Sequence, residues 1–69
     1  MIYQVQMVLP NYAYTVYDGS DKKKMEKVIR KWAKSTPKAT FIINHLEIRG
    51  KNFYDITATI QMSAQQVLG

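Results

Sequence analysis

The sequence predicts an α+β domain, a two-layer ββαββ arrangement in which one amphipathic helix packs on one face of a four-stranded antiparallel sheet. Three observations predict it. Residues 2–9 and 12–17 alternate like strands around Pro10-Asn11. Residues 20–35 carry an apolar stripe at helical spacing, and residues 39–49 and 53–62 alternate again around Arg49-Gly50-Lys51-Asn52. Alternation puts successive side chains on opposite faces of a strand, whereas apolar residues at i, i+3, i+4 and i+7 line one side of a helix.

In the first strand Tyr3, Val5, Met7 and Leu9 share a face, and Ile2, Gln4, Gln6 and Val8 share the other. Pro10-Asn11 is a turn signal, because proline presets φ and asparagine tolerates unusual backbone. A loop there sets Leu9 against Tyr12, Met7 against Tyr14 and Val5 against Val16, so the apolar sets coincide. Asp18-Gly19-Ser20-Asp21 reads as a turn and helix start, with Ser20 as the N-cap and Asp21 near the positive end of the helix dipole. Met25, Val28, Ile29 and Trp32 form the apolar stripe, and Pro37 stops the helix by about Ser35.

In the last strand Tyr54, Ile56, Ala58, Ile60 and Met62 are expected on one face and Asp55, Thr57, Thr59 and Gln61 on the other. A three-residue loop ending at Asn52 in the left-handed region pairs Ile48 with Tyr54, Leu46 with Ile56 and Ile42 with Ile60, at the cost of setting Glu47 against Asp55. The helix is then expected to cover Tyr3, Val5 and Met7, Tyr12, Tyr14 and Val16, Ile42, Leu46 and Ile48, and Ile56, Ala58 and Ile60, with packing tight around Trp32. Residues 63–69 read as a tail or a single helical turn. At 69 residues the chain amounts to one small domain with a marginal core.

Composition narrows the chemistry. There is no cysteine, so neither a disulfide framework nor a thiolate metal site is available, and His45 is the only histidine. No stretch approaches the roughly 18 apolar residues of a membrane span. The first residues, Met1-Ile2-Tyr3-Gln4-Val5-Gln6, lack the basic leader of a secretory signal, and with the lack of cysteine this favours a cytoplasmic setting without membrane association. No catalytic residue, metal ligand or cofactor is expected. His45 has no orienting carboxylate or nucleophile converging on it, Asp18 and Asp21 are explained by a turn and a cap, and the isolated glycines form no phosphate-cradling loop.

Charge placement is the strongest functional signal. The chain carries a net +5, yet residues 20–38 alone carry +6 and the remainder −1. At about 100° per residue, Lys23, Lys27, Arg30 and Lys34 fall within roughly 60° of one another, flanked by Lys24 and Lys31, along about 16 Å of helix axis. Such a comb of cations fits a phosphate backbone and gains by counterion release. Its lysine-rich composition favours phosphate contacts over base-edge readout, for which arginine, asparagine and glutamine are better suited. The expectation is a non-enzymatic domain binding DNA or RNA through Lys23, Lys27, Arg30, Lys31 and Lys34, with little sequence specificity. Ordinary solvation of a helix by lysines is the plainer explanation of the same pattern.

The sheet face away from the helix supplies the alternative. Ile2, Val8, Tyr17, Phe41, Ile43, His45 and Phe53 are expected there, mixed with glutamines and threonines. Tyr17, Phe41, Ile43 and Phe53 are the candidate partner or homodimer interface, with Tyr17 accessible. The same aromatics would otherwise serve as a base-stacking platform. On the interface reading the chain is a small protein-binding regulator or inhibitor, of the compact accessory kind that phages and mobile elements encode. Its basic helix would then meet an acidic protein partner.

Overall fold

A computed structural model describes residues 1–69 and bears out the α+β architecture. The elements run β1 (Ile2–Val8), β2 (Ala13–Gly19), α1 (Lys22–Ser35), β3 (Thr40–Ile48), β4 (Tyr54–Ser63) and α2 (Ala64–Leu68). The strands form one antiparallel sheet in the order β2-β1-β3-β4, so β1 and β3 are central and β2 and β4 are edges. Along its shortest axis the molecule measures 15 Å, one sheet and one helix layer.

The two hairpins form as expected near their turns. Met7 pairs with Tyr14, and the Leu9 amide donates to the Tyr12 carbonyl at 2.8 Å. Ile48 pairs with Tyr54 and Leu46 with Ile56, while the Arg49 amide donates to the Phe53 carbonyl at 3.0 Å. No residue has positive φ, so Asn52 does not make the left-handed turn expected of it. The facing Glu47 and Asp55 are reconciled by Arg49, which lies 3.5 Å from the first carboxylate and 2.8 Å from the second.

Further along, each edge strand carries a bulge. Val16 is left over between the pairs Val5–Tyr17 and Gln6–Thr15. Thr57 is left over between His45–Ala58 and Leu46–Ile56, and its hydroxyl donates to the His45 carbonyl at 3.2 Å. One extra residue reverses the alternation beyond it. Ala58, Ile60 and Met62 therefore share the helix side with Phe41, Ile43 and His45. Tyr54 and Ile56 go to the opposite side with Leu46 and Ile48. The five residues expected on one face are divided between two.

The helix covers the other face of β3 from the one expected. Pairing of Val5 with Ile43 and Met7 with Phe41 brings the bulkiest side chain of β3 beneath the helix. The core comprises Val5, Met7, Met25, Ile29, Ala33, Ala39, Phe41, Ile43 and Ala64. Strand β3 is apolar on both sides, and its register against β1 decides which side is dry. Phe41 and Ile43 are therefore core residues, not parts of an open interface.

The helix is also rotated from the expected stripe. Met25, Ile29 and Ala33 are its buried residues, at i, i+4 and i+8, while Trp32 stands on the flank with 38% of its surface exposed. Small residues allow the close approach at this end: Ala33, Ala39 and Ala64 are all nearly or wholly inaccessible. The helix N-cap is Asp21, whose carboxylate accepts from the Lys24 amide at 3.1 Å, one residue later than expected. The C-terminal residues form α2 through a capping box between Ser63 and Gln66, and the Ala64 amide is anchored to the Ala39 carbonyl at 3.0 Å. No helix is long and apolar enough to cross a membrane.

Candidate nucleic-acid interface

The outward surface of α1 is cationic from end to end. With Met25, Ile29 and Ala33 as the buried line, Lys23, Lys24, Lys27, Arg30, Lys31 and Lys34 occupy an arc of roughly 120° on the opposite side. The observed rotation brings Lys24 and Lys31 into the same face as the four residues singled out from the sequence. All six are exposed. Both ion pairs of the molecule lie at Arg49, so no carboxylate holds any of these six cations. Glu26 is exposed on the helix but forms no ion pair with Arg30.

The base of the helix is fixed by a local lock. The Tyr17 hydroxyl accepts from the Asp21 amide and donates to the Asp21 carbonyl, both at 3.1 Å. Gly19 makes room for it, because a Cβ there would sit 2.7 Å from the Tyr17 hydroxyl oxygen. Tyr17 is accordingly half-buried against the core and committed to the β2–α1 junction. It is not the accessible anchor expected. Of the four interface candidates, Phe53 alone is exposed, at the tip of the β3–β4 hairpin.

Sequence reasoning missed an aromatic group beside the cations. Tyr12 and Tyr14 were assigned to the core by alternation, yet both are about half exposed on edge strand β2 and its approach, at 55% and 51%. Their rings meet edge-on with centroids 5.0 Å apart. The Tyr14 phenol is held above its ordinary pKa, chiefly by the neighbouring Tyr12 hydroxyl. Tyr14, Thr15, Val16 and Trp32 line a shallow groove of about 390 Å³ between the strand and the helix. Tyr14 keeps its expected pairing with Met7, on the turn side of the bulge, and it stays exposed because β2 is an edge strand that the helix does not cover.

A second groove of about 280 Å³ lies between α1, α2 and the sheet, with Met25, Ile29, Ile43, Met62 and Val67 as its apolar lining. The charged residues Glu26 and Arg30 complete its lining. His45 is half-buried, stacked edge-on against Tyr3 at 5.0 Å. No group of three or more histidine or carboxylate side chains is placed to hold a metal.

The fold and surface define the chain as a small α+β domain with a continuous, unpaired cationic helix face. No family model matches the chain, and neither the curated proteins nor the solved structures searched give a match.

Proposed function

We propose that this chain is a non-enzymatic binding domain whose ligand is a nucleic-acid backbone, held along the outer face of α1. The observation carrying this is the set of six exposed cations on that face, none paired with a carboxylate. Unpaired lysines are free to neutralise backbone phosphates, and this releases the cations condensed on the nucleic acid with an entropic gain. Lys23, Lys27, Arg30 and Lys34 form the centre of the contact, with Lys24 and Lys31 at its margin. Lysine contacts phosphate as a point charge, so discrimination between sequences is small. A cytoplasmic location suits this ligand.

The test is binding of mixed-sequence DNA and RNA over a salt series, for the native chain and for Lys23→Glu/Lys27→Glu/Lys34→Glu. The native chain is expected to bind at low salt and the triple variant to lose binding while keeping its circular dichroism spectrum. A native chain with no affinity at low ionic strength overturns the proposal.

A specific observation favours a second reading, self-association through β4. From Tyr54 to Gln61 this edge strand is exposed on both faces, and Leu46, Ile48, Tyr54 and Ile56 form an apolar patch at its hairpin end. Between Ile56 and Ser63 it has no charged residue and no proline, so it lacks the usual guards of an edge. A second copy is the occupant this strand fits. Antiparallel pairing across a two-fold axis near Ile60 opposes no like charges and keeps the basic helices away from the seam. Sedimentation of the native chain is expected to show a concentration-dependent dimer, and Ile60→Lys a monomer. A native monomer up to about millimolar concentration, the weak end of specific association, contradicts this reading.

A further inference from the structure

We infer that the groove between Trp32 and the β2 edge is a base-stacking site, and that the ligand of this domain is single-stranded nucleic acid. The inference rests on the polyanion reading of α1 and names the form of nucleic acid that the same surface takes.

Around the helix, the cationic arc ends at Lys31 and Lys24, and the next large side chain toward the sheet is Trp32. On a helix about 10–12 Å across, the 100° step from Lys31 to Trp32 covers roughly 10 Å of surface. That is the scale of one nucleotide, from its phosphate to the far edge of its base. A strand with phosphates on Lys24, Lys27 and Lys31 would direct its bases toward Trp32 and the groove beside it.

The groove has the chemistry to receive them. Its walls are Trp32 on one side and Tyr14, Thr15 and Val16 on the other, with Tyr12 edge-on to Tyr14 just beyond. Three partly exposed aromatic rings thus stand on the flank of the cationic face. No hydrogen bond ties down the Trp32 indole nitrogen. Aromatic side chains bordering a basic track are how single strands are held without sequence preference, because every base presents a π face. A duplex keeps its bases stacked inside and would meet only the lysines. The apolar groove at α2 lacks aromatic residues and serves this purpose poorly.

Trp32 is the only tryptophan, so its fluorescence reports on this groove alone. The experiment titrates the full chain with short oligothymidylate, oligouridylate and a duplex of equal length, following both tryptophan emission and binding by anisotropy of labelled strands. Single strands are expected to quench Trp32, and the duplex is expected to leave its emission unchanged. Trp32→Ala is expected to weaken single-strand binding roughly 5- to 150-fold, the loss of about one base stack, while duplex affinity is retained. Trp32→Phe should restore most of the affinity. Tyr14→Ser, on an exposed edge position, supplies a second variant independent of the helix and is expected to weaken single strands selectively.

Duplex binding as tight as single-strand binding, with no quenching, overturns the stacking site and leaves the helix reading standing. Quenching with no loss of affinity in either Trp32→Ala or Tyr14→Ser also overturns it. Failure of every strand to bind the native chain removes both readings together. Comparison of the two single strands separates a DNA ligand from an RNA ligand.

Discussion

At the scale of single residues, the entry to the helix is the most tightly determined point of the chain. Asp21 acts there twice, its carboxylate capping the Lys24 amide and its backbone held by the Tyr17 hydroxyl. Asp21→Ala is therefore expected to cost about 1 kcal/mol, the worth of an N-cap. Ser20→Ala, which removes no such contact, should stay within about 0.5 kcal/mol of the native chain. Urea titrations compare the two directly, and an equal loss for both would contradict the assignment. The sequence pattern favours Ser20 as the cap with Asp21 one position inside, whereas the structure caps with Asp21. Only the backbone path after Gly19 decides between them, and that path depends on a tertiary contact with the Tyr17 ring.

At the scale of elements, packing of α1 depends on small residues where large ones were expected. Ala33 is wholly buried, and Ala39 and Ala64 meet the same end of the helix. Ala33→Leu is expected to overpack this contact and destabilise the chain by about 1–3 kcal/mol, read as a drop in Tm. A neutral or stabilising Ala33→Leu would show that the helix does not approach the sheet as closely as described. The helix's extent was legible from its stripe and from Pro37, and so was its outward charge. Its rotation was not, because an alanine contributes little to an apolar pattern while Trp32 dominates it. The strands repeat this lesson. Their existence and turns followed from alternation, but the bulges at Val16 and Thr57 each reverse a face, and nothing local in Thr-Val-Tyr or Ile-Thr-Ala announces an unpaired residue.

At the scale of the whole molecule, the domain separates its tasks by side. Nine of 69 residues form the core, set between α1, α2 and the central strands, and β4 contributes none of them. The open face is polar at its centre, where the Thr59 hydroxyl meets the Asn44 side chain at 2.9 Å, and its most exposed apolar side chains, Ile48, Tyr54 and Ile56, lie near the β3–β4 hairpin. The cations lie on the far side of the helix from both. This placement was the most legible functional feature, because charge on an amphipathic helix needs only the helix to fold and one stripe to be buried. The aromatic flank was hidden from the same reasoning, since it depends on β2 being an edge strand and on the rotation that leaves Trp32 beside it, and neither strand order nor rotation is written in the alternation.

The salt dependence of nucleic-acid binding tests the central claim most directly. With four to six phosphates held by α1, the slope of log affinity against log salt concentration is expected to lie at about −3 to −5, and Lys27→Gln should make it shallower by somewhat less than one unit. Binding that ignores salt, or a slope that Lys27→Gln, Lys23→Gln and Lys34→Gln each leave unchanged, would show that this helix face does not hold the phosphates.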